Sequence, residues 1–418
     1  MANDEPGGSL AVAQRSLADS SISYPLWPPL TEGDPRFSTE KVAYPLEVAY
    51  DLSGPSAATA FDADRSGSMV DWQPLLPPLA PGIDLGAGST PLIDGSAVAV
   101  QLGLDGELYF KDESQNPTWS HKDRLNTCAV SAAALSGAPG VVVASSGNHG
   151  ASAAAFCARI GMPCVVIASA EAPPAIAGFL RAYGASVIPV PTPARWPLVR
   201  EIVTRLGFHP VSNLTASAHT GHPFGPEGYK TIAYECFLQL GRRVPAAVFV
   251  PCGYGELLFG VWKGFTELAT LGLASHVPAM FASEPGARAP LHHALATARD
   301  VAHVAAGPTS AFSIGTTVGS YRGVIAVRRS GGAAIPVPEQ QLTQARDILA
   351  RHGLWQELSG SAGLGALMTP GVSPPDGPIV CILTSSGFKD QNSYPGETEE
   401  LPGTWDAIAG RLRDDGIL

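Results

Sequence analysis

The chain has 418 residues and a net charge of −11, and 45% of its residues are hydrophobic against 15% charged, which is typical of a globular protein with two domains, or one large domain and an added lobe. The negative charge excludes a basic nucleic-acid surface, and no apolar run reaches the length of a membrane span. Residues 1–7 lack the basic start and apolar stretch of a secretion signal, so we expect a cytoplasmic protein that binds neither nucleic acid nor membrane.

Residues 1–80 are rich in Pro, Ser, Gly and Ala, with scattered aromatic side chains. This composition predicts an extension that wraps over a domain surface and has little core of its own. From Gly86 onward, short apolar runs alternate with Ala-rich stretches, which predicts an α/β fold of parallel type. The predicted strands are 141–144, 164–167, 187–190, 248–250 and 379–383. Loops at the C-terminal ends of such strands can gather around a ligand.

Lys122 is the most informative of only six lysines. A strand at 108–111 and a turn at 114–117 precede it, and a helix follows, with Ser120 or Thr118 as the predicted N-cap. In the first turn of a helix, the N–H groups disfavour an ammonium and lower its pKa, which leaves more free amine to attack an aldehyde. Lys122 is therefore our candidate for an imine-forming catalytic lysine. A solvated surface lysine is the ordinary alternative.

The run at 145–150, Ser-Ser-Gly-Asn-His-Gly, follows a predicted strand and opens an Ala-rich helix. Backbone N–H groups at such a helix start form an anion site, which suits a substrate carboxylate. The Asn148 amide could also hydrogen-bond a polar substituent of a cofactor ring. An ordinary strand-to-helix turn explains the motif equally well, and His149 alone is compatible with a structural histidine.

A second glycine turn, at 253–257, again lies between a strand and a helix. Gly253 and Gly255 permit unusual backbone angles and can present several N–H groups to a phosphate. The dinucleotide fingerprint Gly-x-Gly-x-x-Gly fails at Leu258, and no Walker lysine follows. The motif predicts either a phosphate cradle or a plain tight turn.

The last predicted strand leads into Thr384, whose hydroxyl could reach the same crevice or simply cap the strand end. If the ligand in this crevice is a cofactor with a pyridine ring, a hydroxyl facing the ring nitrogen does not keep that nitrogen protonated. An unprotonated ring favours elimination or replacement over racemisation and transamination. The six cysteines are scattered in apolar sequence without metal-ligand spacing. They are predicted to be buried free thiols, Cys252 included.

Taken together, the segments resemble the fold-type-II pyridoxal-phosphate enzymes, and most of all threonine synthase. The resemblance covers about residues 45–395 and rests on the order of five runs. These are Gly-Ala-Gly-Ser-Thr-Pro-Leu at 86–92, the lysine motif at 111–124, Asn148 (26 residues after Lys122), Pro-Glu-Gly-Tyr-Lys-Thr at 226–231 and the run at 355–362.

The resemblance implies two open α/β domains with the active site in the cleft between them, a homodimer, and pyridoxal 5′-phosphate as cofactor. It implies a wrapping extension at 1–80, a large cofactor-binding domain at 81–126 and 236–418, and a small mobile domain at 127–235. Lys122 takes the Schiff-base role, and Thr384 faces the pyridine nitrogen. The predicted cofactor contacts are Lys122, Asn148, Gly253, Tyr254, Gly255, Glu256, Leu257 and Thr384, and the predicted substrate contacts are His121, Ser145, Ser146, Gly147, Asn148 and His149.

Three departures from the family pattern bear on the substrate. Gly225 stands where threonine synthases have the arginine that grips the substrate phosphate, and losing that clamp weakens recognition by roughly several kcal/mol. Trp119 and His121 replace the Gly and Phe beside the serine that precedes the lysine, which crowds the site. Glu256 replaces a neutral residue in the phosphate loop, so its side chain must point away from the phosphate or be compensated.

We therefore expect a pyridoxal-phosphate-dependent lyase or synthase, acting by β- or γ-elimination or replacement on a small, non-phosphorylated L-amino acid. Lys122 is the expected base for the α proton, and His121 is a candidate for an auxiliary acid or base. Two alternatives stay open. One is a threonine synthase acting on O-phosphohomoserine, and the other is a catalytically silent relative that binds an amino acid.

Overall fold

The structure is a computed structural model that describes residues 8–62, 67–169, 174–215, 218–390 and 400–418. Residues 1–7, in which no secretion signal was found, lie outside these ranges. The strands are β1 (Ala11–Ser16), β2 (Ser23–Pro25), β3 (Leu46–Tyr50), β4 (Leu92–Asp94), β5 (Leu108–Asp112), β6 (Val141–Val143), β7 (Cys164–Ser169), β8 (Ser186–Val190), β9 (His209–Pro210), β10 (Ala247–Pro251), β11 (Ala279–Pro285), β12 (Ala333–Val337) and β13 (Ile379–Leu383).

The helices alternate with these strands from β4 onward. They are α1 (Pro55–Thr59), α2 (Ser96–Leu102), α3 (Lys122–Leu135), α4 (Asn148–Arg159), α5 (Pro174–Ala182), α6 (Arg195–Leu206), α7 (Lys230–Gln239), α8 (Glu256–Thr270), α9 (Pro290–Ala296), α10 (Tyr321–Ser330), α11 (Glu339–Arg351), α12 (Ala362–Leu367) and α13 (Trp405–Asp414).

Two sheets of the predicted parallel type form the centre of the fold. The larger has the strand order β12-β11-β10-β13-β5-β4, and all its pairs are parallel except the edge pair of β4 with β5. The smaller is fully parallel, with the order β8-β7-β6-β9. Strands β6, β10 and β13 are buried along their whole length, as expected for central strands covered on both faces by helices. The α/β fold class is confirmed.

The predicted strands all occur, with boundaries that agree to within two residues and are unchanged for 379–383. The larger sheet takes its strands from residues 92–112 and 247–383, and the smaller from residues 141–210. The division into a large domain and a small mobile one stays a prediction. Residues 11–50 form an antiparallel three-stranded sheet of their own, with the order β2-β1-β3.

A buried charge network fixes the first turn of α3. The Arg124 guanidinium donates to Glu113 Oε2 at 2.6 Å and to Glu235 Oε1 at 2.5 Å, while Lys111 Nζ donates to Glu235 Oε2 at 2.7 Å. All four side chains are buried. Because the pairs join β5, α3 and α7, they hold Lys122, two residues before Arg124, in one position.

All six cysteines are buried free thiols, as predicted. Over the ranges that the structure describes, no cluster of three or more His, Cys, Asp or Glu side chains could bind a metal ion. Nor is any helix in these ranges long and apolar enough to cross a membrane.

Candidate active site

Lys122 is the first residue of α3, partly buried, and its Nζ lies 3.2 Å from the hydroxyl of Tyr229. Burial lowers the pKa of the amine below its ordinary value, and the nearby carboxylates of Glu256 and Glu357 oppose this shift only in part. A partly buried amine with a lowered pKa at a helix start has the surroundings that a nucleophilic lysine needs. Tyr229 was not singled out from the sequence, although it lies in the Pro-Glu-Gly-Tyr-Lys-Thr run.

The N-cap prediction was wrong by one to three residues. His121 occupies the N-cap position of α3 and makes no side-chain capping bond. The Ser120 hydroxyl still accepts the Lys122 N–H at 3.3 Å, whereas the Thr118 hydroxyl donates to Asp123 instead. Residue 121 already has helical backbone angles, so Ser120, which accepts the Lys122 N–H, still acts as a capping side chain one position before the assigned N-cap.

Thr384 meets the lysine segment directly after the end of β13. Its carbonyl oxygen accepts the His121 N–H at 3.0 Å and lies 3.1 Å from His121 Nδ1. A carbonyl cannot donate, so Nδ1 carries the proton and Nε2 of His121 is left as an acceptor. Burial, followed by the charge of Lys122, lowers the pKa of His121 well below its ordinary value. The Thr384 side chain is buried.

The loop at 145–149 is compact and starts α4, as predicted. The Ser145 hydroxyl accepts the Gly147 N–H at 3.3 Å, and Ser146 Oγ accepts the Ser169 N–H. His149 Nε2 is buried without a hydrogen-bond partner. Burial, followed by the charge of Lys122, lowers the pKa of His149 to about 3, so its imidazole is neutral.

Asn148 connects this loop to the end of the larger sheet. Its Nδ2 donates to both carboxylate oxygens of Glu357, at 3.2 and 3.1 Å, while its Oδ1 accepts from Lys389 Nζ at 2.7 Å and from Ser385 Oγ at 3.2 Å. Burial raises the pKa of Glu357 and lowers that of Lys389 to about 8. The amide is thus held in one orientation at the predicted cofactor position. Glu357 lies in the run at 355–362 and Lys389 five residues after Thr384, but neither was identified as a site residue from the sequence.

The glycine turn at 253–257 has the backbone of an anion cradle. Gly255 has φ +85° and caps α8, and a Cβ there would lie 2.8 Å from Gly323 Cα. A Cβ at Gly253 would lie 3.5 Å from Thr316 Cγ2, and the buried Thr316 hydroxyl has no hydrogen-bond partner among the described residues. An orphaned hydroxyl beside small residues at a helix start fits the phosphate of pyridoxal phosphate, which would supply the missing acceptor.

Glu256 is compensated, as the sequence required. Its Oε1 lies 3.4 Å from Arg322 Nη1 and 3.7 Å from His219 Nε2. Burial opposes ionisation of this carboxyl, but His219 and Arg322 together lower its pKa below the ordinary value. The His219 ring stacks on Tyr254 at 3.9 Å with an interplanar angle of 2°, and both its nitrogens are buried with no hydrogen-bond partner in the part of the chain that the structure describes. Leu257, the remaining predicted contact of this loop, is buried.

The cations around the site are largely engaged by the protein itself. Besides Glu256, Arg322 donates to the backbone carbonyls of Thr220, Leu46 and His222. A Cβ at Gly225 would lie 2.9 Å from Leu125 Cγ, so position 225 has no room for a long side chain without repacking.

Arg195 is less engaged than these cations. It is partly buried, and its charge acts on the Tyr254 hydroxyl. Within the part of the chain that the structure describes, its guanidinium donates a hydrogen bond only to the Thr192 carbonyl oxygen.

Trp119 lies at the mouth of this region and is 42% exposed. Its φ of +60° is a glycine-like angle, and its ring packs against Phe179 at 5.5 Å and Phe388 at 6.1 Å. The aromatic side chain therefore contacts α5 on one side and the segment after β13 on the other.

Comparisons with known proteins show which family this chain resembles. The sequence profile of the family described as pyridoxal-phosphate dependent enzyme matches residues 83–385. The chain is 35% identical over 327 residues to a threonine synthase of Methanocaldococcus jannaschii, covering 76% of this chain and 79% of the relative. It is 30% identical over 380 residues to a threonine synthase of Methanosarcina acetivorans, covering 88% and 91%. Among solved structures, maize serine racemase is similar in fold, with a TM-score of 0.62, 19% identity, and 78% and 93% of the two chains covered.

Proposed function

The chain belongs to the pyridoxal-phosphate-dependent enzyme family, and on this premise we propose that it catalyses β- or γ-elimination or replacement on a small L-amino acid whose leaving group carries no phosphate. Its cofactor is pyridoxal 5′-phosphate, and its chemistry is of the lyase or synthase type. We further propose a cytoplasmic homodimer, in which a small domain at 127–235 closes over the site and excludes water.

The observation that carries this proposal is the position of Lys122. Its amine lies at the head of α3, next to Tyr229, and the segment before it is hydrogen-bonded to Thr384 at the end of β13. The Asn148 amide joins the loop at 145–149 to the same strand end through Ser385. Loops from both sheets therefore meet around one lysine amine.

Each loop has a separate role in the proposed site. The N–H groups of 253–257 would hold the cofactor phosphate, with the Glu256 carboxylate directed to Arg322, and Thr384 would be the partner of the pyridine nitrogen. The loop at 145–149 holds the substrate carboxylate by its N–H groups. The bound cofactor withdraws electrons from the substrate, which makes its α proton acidic. Lys122 then removes that proton as the general base.

The charges around the site support a leaving group without a phosphate. Arg322 donates to three carbonyls and faces Glu256, and Lys389 donates to Asn148. His149 and His219 have pKa values lowered by burial, so they supply neutral hydrogen-bonding groups rather than positive charge. Arg195 apart, a dianionic group would lack the bidentate cation that such recognition needs. An ester or hydroxyl group requires only neutral partners.

A second candidate is a threonine synthase, the activity for which both curated relatives are named. Arg195 favours it, because its guanidinium lies near Tyr254 and has no carboxylate partner among the described residues. It could grip a substrate phosphate in place of the missing arginine at 225.

Steady-state turnover by the cofactor-loaded protein tests these candidates. We expect O-acetylhomoserine, serine or threonine to react with higher kcat/KM than O-phosphohomoserine. Efficient formation of threonine from O-phosphohomoserine, abolished by Arg195→Met, would establish the second candidate instead. A loaded protein whose absorbance changes with no amino acid would support a catalytically silent relative.

A further inference from the structure

Tyr229 is the hydrogen-bonding partner of Lys122. Its Oη lies 3.2 Å from Lys122 Nζ, and the same amine lies 5.7 Å from the centre of the Tyr229 ring. Tyr229 is fully buried, whereas Lys122 is partly open to the cleft. The phenol therefore approaches the amine from the protein side and leaves the open side free for cofactor and substrate.

Two glycines show that Tyr229 is held tightly in place. A Cβ at Gly260 on α8 would lie 2.5 Å from Tyr229 Cβ, and a Cβ at Gly228 would overlap the carbonyl oxygen of Arg124 on α3. The turn before α7 thus packs with its backbone directly against both helices. Since Lys122 and Arg124 share the first turn of α3, the distance between the phenol and the amine is set by backbone contacts and not by side-chain flexibility alone.

The pair is chemically complementary. Burial, followed by the charge of Glu256, raises the pKa of Tyr229 well above its ordinary value, so the phenol keeps its proton. A neutral phenol can donate to an amine and can also accept from an ammonium by rotating its O–H. It can therefore bond Lys122 before and after the amine takes up a proton.

We propose that Tyr229 is a catalytic residue that hydrogen-bonds Lys122 Nζ and stabilises its protonated form while the lysine carries the substrate proton. This inference rests on the function proposed above. In the step concerned, the Cα–H bond breaks, its electron pair stays with the substrate, and the proton forms a new bond to Lys122 Nζ. Tyr229 gains and loses no proton. It exchanges a donated hydrogen bond for an accepted one, and the accepted bond to a charged nitrogen is the stronger.

The titratable groups around Lys122 are few, and they are carboxyl groups and histidines. The carboxylates of Glu256 on α8 and Glu357 before α12 favour the ammonium. His121, His149 and His219 have pKa values lowered by burial and are neutral. Glu113 and Asp123 act on the Tyr229 hydroxyl and favour its protonated form. Against this background, removing the phenol changes one hydrogen bond and no charge.

Tyr229→Phe tests the proposal, with Tyr234→Phe as the matched control. Tyr234 is equally buried, but its hydroxyl bonds Glu267, away from Lys122. We expect Tyr229→Phe to fold, to load pyridoxal phosphate and to keep its KM within about threefold, while kcat and the exchange of the substrate α proton with solvent deuterium fall about 10- to 100-fold. Tyr234→Phe should stay within about twofold of the parent. Equal kcat and exchange rates in Tyr229→Phe and the parent would overturn the proposal.

Uptake of pyridoxal phosphate by the apoprotein gives a readout independent of turnover, because only the neutral Lys122 amine reacts. A hydrogen bond to the charged form raises a pKa, so its loss lowers the pKa of Lys122. The rate of cofactor uptake should therefore begin to rise at a lower pH in Tyr229→Phe than in the parent. An unchanged pH dependence of the uptake rate would contradict the proposal. If Tyr229→Phe does not fold, 3-fluorotyrosine at 229, a weaker hydrogen-bond acceptor of similar shape, should shift this pH dependence in the same direction. A parent protein that takes up no cofactor would refute the proposed function itself.

Discussion

Gly221 and Glu256 are in such close contact that a Cβ on Gly221 would overlap Oε1 of the Glu256 carboxylate. Gly221 also has φ +63°, so its backbone suits only glycine without strain. The contact explains how an acidic residue can occupy the first position of α8, beside the predicted phosphate cradle. Gly221 leaves space in which the carboxylate can pair with Arg322.

Gly221→Ala should therefore destabilise the protein by at least about 2 kcal/mol, because backbone strain adds to displacement of a buried carboxylate from its guanidinium. Gly241→Ala is the control: it has a similar φ of +68° but nothing within 4 Å of the added Cβ. We expect it to cost only about 1 kcal/mol, from strain alone. Urea unfolding of both variants measures the difference, and equal costs would contradict a steric role for the glycine.

Lys122→Ala should abolish covalent attachment of the cofactor and lower turnover by about three orders of magnitude or more, because both nucleophile and base are lost. Borohydride should fix pyridoxal phosphate to the parent and to Lys41→Ala, whose lysine is exposed, but not to Lys122→Ala. Mass analysis of the digested proteins locates the modified residue. Labelling of any other lysine in the parent would refute the assignment.

Two substitutions of Trp119 differ from each other mainly in the backbone strain at this position. Trp119→Gly and Trp119→Ala both remove the contacts with Phe179 and Phe388, but alanine is strained at the φ of +60° found here. We expect the glycine variant to be the more stable by about 1 kcal/mol, as measured by denaturant unfolding. At an ordinary helical or extended position the order would be reversed. A more stable alanine variant would therefore show that residue 119 does not hold this angle.

Lys389→Met should affect stability and activity in opposite directions. Burial lowers the pKa of Lys389 to about 8, so between pH 8 and about 10.4 the unfolded chain holds a proton that the folded chain lacks. The parent's free energy of unfolding therefore rises with pH over this window relative to that of the variant. Below pH 8 the folded parent protein bears the full cost of burying the charged lysine. At pH 7 the Lys389→Met variant should therefore have a free energy of unfolding at least as large as that of the parent.

Activity should nevertheless fall in Lys389→Met, with kcat/KM reduced roughly tenfold, because the Asn148 carbonyl loses its 2.7 Å hydrogen bond and only Ser385 and Glu357 are left to orient the amide. Lys41→Met, at an exposed position, is the control. Free energies of unfolding at pH 7, 8, 9 and 10 show whether the difference between parent and variant narrows. A difference independent of pH would mean that Lys389 is not the titrating group.

The sequence by itself determined the local parts of this protein. The strand, turn and helix around 141–150 and 247–256 follow from short apolar runs and small residues. The helix after Lys122 follows from its Ala-rich body, and the order of motifs was sufficient to identify the family. These features depend on neighbours within a few residues, where backbone preferences and side-chain alternation act directly.

Only the tertiary structure decided which side chains meet. Tyr229 lies 107 residues from Lys122, Glu357 lies 209 residues from Asn148, and Arg322 lies 66 residues from Glu256. No local pattern encodes such pairs, because the packing of two sheets and their helices brings the partners together. The same packing places buried charges close enough to shift each other's pKa values, and this determines which groups can act as base, donor or anion site.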